Sequence, residues 1–94
     1  MQIDVPTDQV WPTRLLLKAA RALADLDQIE LAASSGVGRK TIVAIENDKN
    51  PTIDYRRVKA IHRLRDALEQ KHRIEFIRPT ATKGAGVRLR IVVD

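Results

Sequence analysis

The chain has 94 residues, of which 44% are hydrophobic and 31% charged, and a formal net charge of +5. This length allows one domain, and the lack of cysteine excludes disulfides and cysteine-based metal sites. No apolar run reaches the roughly 18 residues of a membrane span. Residues 1–13 contain two acidic and no basic side chains, so we expect no secretion signal.

Positive charge is concentrated in the second half of the chain. Residues 1–12 carry a net charge of −2, and residues 13–50 carry six basic and five acidic side chains. Residues 51–94 carry eleven basic and five acidic side chains, a net charge of +6. A basic protein of this size is a candidate for binding nucleic acid or an anionic membrane surface.

The first predicted elements are an arm and a helix. Residues 1–12 are expected to form an irregular arm, because Pro6 and Pro12 interrupt them. A helix is predicted over residues 14–25, where apolar residues recur at helical spacing. Its predicted inward-facing residues are Leu16, Ala19, Ala20, Leu23 and Leu26.

A short second helix is predicted over residues 28–34. Asp27 and Glu30 have the spacing of a capping box, in which each satisfies a free backbone N–H of the first turn. Gly36 then stands where a chain leaving a helix adopts a left-handed conformation.

A third helix is predicted over residues 39–47. Gly38 occupies its N-cap position, where glycine is tolerated. Ile42 and Ile45 form its buried stripe. A loop over residues 47–51 follows.

The remaining elements are a long helix and two strands. The helix is predicted over residues 54–71. Three basic side chains on one side of it form a stripe that is expected to be a solvated surface. Apolar and alternating patterns predict strands over residues 74–77 and 87–93, joined by a loop that contains Pro79, Gly84 and Gly86. The basic stripe consists of Arg56, Lys59 and Arg63.

The second and third helices with their glycine-containing turn form a helix-turn-helix unit, residues 28–47. Ala32 supplies a small residue where the two helices cross, and Val37 fills the space between them. Because the third helix buries its isoleucines, its opposite face is free to enter the major groove of DNA. That free face contains Arg39, Lys40, Thr41, Val43 and Ala44.

The segment QIELAASSGVGRKTIVAIEN, residues 28–47, resembles the phage-repressor (Cro/XRE) helix-turn-helix family. That family's pattern is Q-x-x-L-A-x-x-x-G-V-S-x-x-T-I-x-x-I-E-x-G. Two positions depart from it, since Gly38 replaces the usual serine and Asp48 the usual glycine. The resemblance covers residues 14–68 and implies a mainly α-helical, lambda-repressor-like domain of four to five helices. The tail is similar to short family members that end in two strands.

The resemblance also implies which residues contact DNA. The base-reading positions fall on Arg39, Lys40, Thr41 and Ala44. The chemistry agrees, because Arg or Lys can bond O6 and N7 of guanine and alanine suits a thymine methyl group. The phosphate-contacting positions fall on Gln28, Asn47, Lys49 and Asn50.

The family further pairs an arginine of the first helix with a glutamate of the reading helix. Arg21 and Glu46 hold those positions. The resemblance therefore implies that this pair is structural and ties the first helix to the third.

Three segments are expected: the arm (1–12), the DNA-binding domain (13–72) and a C-terminal strand extension (73–94). Helix-turn-helix proteins bind as two-fold dimers on half-sites about one helical turn apart. Two strands alone make a marginal sheet, and their edges could pair with a second copy. The expected dimerisation residues are Ile74, Phe76, Leu89 and Ile91.

The sequence thus predicts a bacterial or phage transcriptional regulator, a repressor or autoregulator, that binds double-stranded DNA as a homodimer in the cytoplasm, associated with the nucleoid. Two alternatives stay open: the antitoxin of a toxin–antitoxin pair, and a protein-interaction module such as an anti-activator on this scaffold. No residues indicate an enzyme, a cofactor or a small-molecule domain. His62 and His72 lack neighbours at metal-ligand spacing.

Overall fold

The computed structural model describes residues 3–91, which fold into four α-helices and two small antiparallel sheets. The prediction of a mainly α-helical domain with two C-terminal strands is confirmed. In chain order the elements are β1 (Asp4–Pro6), α1 (Arg14–Leu23), α2 (Gln28–Ser35), α3 (Arg39–Asn47), β2 (Thr52–Asp54), α4 (Tyr55–Lys71), β3 (Ile74–Ile77) and β4 (Gly86–Leu89). A single turn of 3-10 helix, Thr7–Gln9, follows β1.

Three of the four α-helices begin at a side-chain cap, as short polar residues at these positions favour. The Thr13 hydroxyl accepts a hydrogen bond from the backbone N–H of Leu16 at the start of α1. Asp27 begins α2 with the capping box that its sequence predicts. Asp54 caps α4 by accepting from the backbone N–H of Arg56 at 2.7 Å.

The core lies where α1, α2, α3 and α4 meet. On α1 the buried residues are Leu17 and Ala20, whereas Leu23 is 42% exposed. The predicted stripe through Leu16, Ala19 and Leu23 is therefore wrong by about one position. Seven of the ten residues of α1 are Leu or Ala, so the apolar pattern alone does not fix which side faces inward. The fully buried large side chains from the helices are Leu17, Leu31, Ile42, Ile45, Leu64 and Leu68.

The N-terminal segment is not an irregular arm, which corrects the prediction for residues 3–12. β1 pairs antiparallel with β2, with Val5 opposite Ile53. The Thr7 hydroxyl donates to the Asn50 carbonyl oxygen at 2.7 Å, and Val10 is buried. Met1 and Gln2 of the predicted arm lie outside the described residues. The pairing and the Thr7 contact fix the end of the loop after α3 where it enters β2.

The C-terminal hairpin is part of the same core and is not a separate extension. β3 pairs with β4, and the pairs Ile74–Leu89 and Phe76–Val87 share one face. β4 contacts α1 while β3 contacts α4. β4 is shorter than the predicted strand over residues 87–93, of which residues 92 and 93 lie outside the described residues.

This packing corrects two of the expected dimerisation residues. Ile74 is 1% exposed, and Phe76 is partly buried against the same core. Their apolar surface is already covered within one chain, so Ile74 cannot contact a second copy and Phe76 has little surface left to do so. Leu89 and Ile91 are 40% and 88% exposed.

Gly36 is the position where a side chain should harm the turn most. Its φ is +75°, and a Cβ added there would meet no atom within 4 Å. We expect Gly36→Ala to lower the free energy of unfolding by about 1–2 kcal/mol, through backbone strain alone. Gly36→Asn is the matched control and should cost less, since asparagine tolerates this conformation. Urea unfolding measures both, and equal stability of Gly36→Ala and the wild type would contradict the assignment.

Candidate nucleic-acid interface

The α2–α3 unit is held by a tight turn and a buried inner face. The Gly36 N–H donates to the Ala32 carbonyl oxygen at 3.0 Å and closes α2 in a left-handed conformation. Val37, 5% exposed, fills the space under the turn. Ile42 and Ile45 are at most 1% exposed, so α3 has one buried side and one outward side.

The outward side of α3 presents two cations at its first turn. Arg39 and Lys40 are exposed, and neither takes part in the ion pairs found among residues 3–91. Thr41 and Ala44 are half-buried, and Asn47 is exposed at the end of the helix. The four base-reading candidates thus occupy one helix, with the charged pair most accessible.

Glu46 lies on the inner side of α3 and is the one buried charged residue among the described residues, with 4% exposure. Arg21 of α1 donates to both of its carboxylate oxygens, Nε to Oε2 at 2.7 Å and Nη2 to Oε1 at 2.8 Å. Arg21 also donates from Nη1 to the Leu26 carbonyl oxygen at 3.1 Å. The structure therefore joins the implied pair in a bidentate ion pair, which ties α1 and the α1–α2 connection to α3.

The ion pair sets the charge of Glu46. Burial opposes ionisation, but hydrogen bonds from Arg21 and Gln28 outweigh it and hold the pKa of Glu46 below its usual range. The hydrogen bond to Glu46 correspondingly raises the pKa of Arg21. Each partner therefore favours the charged form of the other.

Gln28 joins the same network at the first position of α2. Its Nε2 donates to Glu46 Oε1 at 3.2 Å, and an amide nitrogen carries a second hydrogen that this bond does not use. The Glu46 contact therefore orients the amide of a residue expected to contact phosphate. Around it lies a shallow groove whose polar lining includes Lys18, Arg39 and Asn47.

Lys49 and Asn50, the other phosphate candidates, lie in the loop after α3 and are exposed. The loop is braced from within, since the Asn50 N–H donates to Asp48 Oδ1 at 3.0 Å. Asp48 also lies 3.5 Å from Arg57 Nη1. The Asp48 carboxylate therefore links the loop after α3 to its own backbone and to α4.

A second groove lies on the other side of the α3 N-terminus, between the turn and α4. It is lined by Gly36, Val37, Gly38, Thr41, Asp54, Arg56, Arg57, Ala60 and Arg63. The sequence pattern indicated Arg56 and Arg63 as a solvated stripe and did not single out Arg57. Lys18 was likewise missed in the first groove. Only the packing of α1 and α4 beside α3 reveals them.

Other kinds of site find no support within residues 3–91. No group of three or more His, Cys, Asp or Glu side chains there is placed to hold a metal ion. In that same range no helix has the length and apolar character to cross a bilayer.

Comparison with known proteins agrees with the geometry. Residues 17–57 match the family model described as a helix-turn-helix, a range that runs from α1 through α2 and α3 to the first turn of α4. No curated protein matches the chain. Residues 17–57 therefore form a Cro/XRE-like helix-turn-helix, the DNA-binding element of a class of transcriptional regulators.

Proposed function

We propose that this protein is a sequence-specific repressor or autoregulator that reads the major groove with α3. The observation that carries the proposal is the pair of exposed cations, Arg39 and Lys40, without carboxylate partners among residues 3–91, at the first turn of a helix whose other side is buried.

The reading residues have complementary chemistry. Arg39 and Lys40 can each bond O6 and N7 of a guanine, and Thr41 and Ala44 offer methyl groups to thymine. Free cations on a reading helix favour DNA over the protein-interaction alternative. Phosphate contacts by Gln28, Asn47, Lys49 and Asn50 would set the register of α3 in the groove.

The domain organisation that we propose follows from the packing. Residues 13–72 are the part of the chain that we propose contacts DNA, while β1 and the C-terminal hairpin pack against the same core. Residues 3–12 brace the loop after α3 through the β1–β2 pair. The N-terminal segment thus supports the loop after α3, and the hairpin supports α1 and α4, which pack against α3.

The proposed homodimer uses the exposed end of β4. Leu89 and Ile91 expose apolar surface beside a strand whose outer edge lacks a neighbouring strand in the sheet order β3–β4. An unpaired edge flanked by apolar side chains pairs readily with a second copy. Two-fold helix-turn-helix dimers place their recognition helices on half-sites one helical turn apart.

Replacing Ile91 and Leu89 with aspartate tests the dimer. Leu89→Asp/Ile91→Asp should shift the light-scattering mass at about 20 µM from dimer to monomer, since two aspartates would face two others across the edge. Leu15→Asp is the matched control, because Leu15 is 61% exposed on α1 and should leave the mass unchanged. A monomeric wild type, both free and with DNA, would contradict the proposed dimer.

Selection of duplexes from a randomised pool tests the function itself. A dimeric reader should enrich an inverted repeat whose half-sites are about 10 base pairs apart, centre to centre. A pool that shows no enriched sequence after repeated rounds would contradict sequence-specific regulation.

A further inference from the structure

We propose that the groove between the α2–α3 turn and α4 is a second track for the DNA backbone, with Arg63 as its principal phosphate contact. This inference rests on the proposed function, since it assumes that α3 lies in the major groove. It assigns a binding role to α4, whose basic residues the sequence pattern treats as solvated surface.

The charge of the groove supports an anionic occupant. Three arginines line it, and the only carboxylate in its lining is Asp54. Arg56 lies 3.5 Å from Asp54, and Arg57 lies 3.5 Å from Asp48. Arg63 is exposed and takes part in none of the ion pairs found among residues 3–91. Its charge is therefore available to a phosphate.

The position of the groove matches the shape of DNA. Gly38 and Thr41 of the α3 N-terminus form one wall of it, while Arg39 and Gln28 lie in the groove on the opposite side of α3. A helix inserted in a major groove about 12 Å wide has a phosphate backbone on each side. The two grooves beside α3 are placed to receive one backbone each.

The lining favours phosphates over bases or apolar groups. Ala60 and Val37 are the only apolar residues in it, and no aromatic ring is available to stack on a base. Contacts of this kind add affinity that does not depend on sequence and that weakens with salt. A role for Arg63 should therefore appear in the salt dependence of binding, without any change in sequence preference.

The test compares Arg63→Gln with Lys59→Gln. Lys59 lies one turn earlier on the same helix, but its Nζ lies over the Tyr55 ring, 5.1 Å from the centroid, and it does not line the groove. Both variants remove one positive charge. Affinities for a selected duplex and for a random-sequence duplex are measured from 0.05 to 0.3 M salt.

We expect Arg63→Gln to weaken binding to both duplexes equally, roughly 5- to 10-fold at 0.1 M salt, and to reduce the slope of log K against log salt by about 0.9. Arg63→Lys should retain most of the slope. Lys59→Gln should change it by less than half as much. Equal slopes for Arg63→Gln and Lys59→Gln would overturn the inference.

The outcomes separate this inference from the proposed function. If Arg39→Ala relaxes sequence preference while Arg63→Gln equals Lys59→Gln, only the second backbone track is wrong. If no duplex is preferred but Arg63→Gln still flattens the salt slope on random DNA, the groove binds phosphates and base reading is wrong. If inorganic phosphate at constant ionic strength stabilises the wild type but not Arg63→Gln, and the salt slopes on DNA are equal, the groove holds a free ion and the inference is overturned.

Discussion

Arg39→Ala and Lys40→Ala should each lose discrimination between the operator and scrambled DNA. A bidentate contact to guanine contributes about 1–3 kcal/mol of discrimination against other bases, which is roughly 5- to 150-fold in relative affinity. Both side chains are exposed, so neither substitution should alter the fold. Competition between the two duplexes measures the ratio, and circular dichroism checks folding.

Lys49→Ala is the control for this experiment. Lys49 is also an exposed cation, but it lies in the loop after α3 and is proposed to touch phosphate. Its removal should weaken binding to both duplexes alike and leave their ratio unchanged. An unchanged ratio for Arg39→Ala and Lys40→Ala together would contradict base reading by α3 and favour a protein partner for this face.

Glu46→Ala should destabilise the protein more than any single charge removal at its surface. It leaves Arg21, 18% exposed, without the carboxylate that its guanidinium contacts through two hydrogen bonds. Breaking a buried ion pair by removing one partner costs about 3–5 kcal/mol, and the exposure of Arg21 favours the lower value. Urea unfolding at pH 7 gives the change in the free energy of unfolding.

A second, exposed glutamate–arginine ion pair in the chain serves as the comparison for the Glu46–Arg21 pair. Glu75 and Arg88 form a second bidentate contact, at 3.0 and 3.1 Å, on the outer face of the hairpin. Because both side chains are exposed there, solvent weakens their attraction, and Glu75→Ala should have a much smaller effect. Equal losses in the two variants would show that burial of Glu46 does not matter.

The same pair should make stability depend on pH in the acid range. The pKa of Glu46 is lower in the folded protein than its ordinary value of about 4.5, so the unfolded chain binds its proton first as the pH falls. The contribution of Glu46 is therefore complete above about pH 4.5 and is lost as the pH falls through the folded pKa. The stability difference between the wild type and Glu46→Gln should shrink below pH 4.5, and a constant difference down to pH 3 would contradict the assignment.

Local signals in the sequence were enough to predict α3 and the turn that precedes it. The Asp27–Glu30 capping box and Gly36 place the ends of α2, and the spacing of Ile42 and Ile45 fixes the outward face of α3. These features depend on residues within one turn of each other. For that reason the predicted bounds of α3 agree with the observed helix, Arg39–Asn47.

Features that depend on distant residues were not predictable in the same way. β1 and β2 are three residues long and pair across nearly fifty positions, so neither shows a pattern of its own. The burial of Ile74 depends on how the hairpin lies against α1 and α4, which its alternating sequence does not specify. The groove beside α4 likewise exists only after packing brings Arg63 near Thr41.

The central claim is that α3 reads bases, and the most direct measurement is competition between a selected duplex and a scrambled duplex of the same composition, at 0.1 and 0.2 M salt. We expect the wild type to prefer the selected duplex by at least about 10³-fold. Both affinities should fall with salt while the preference persists, and Arg39→Ala should reduce it. A wild type that binds both duplexes equally at both salt concentrations would contradict the claim.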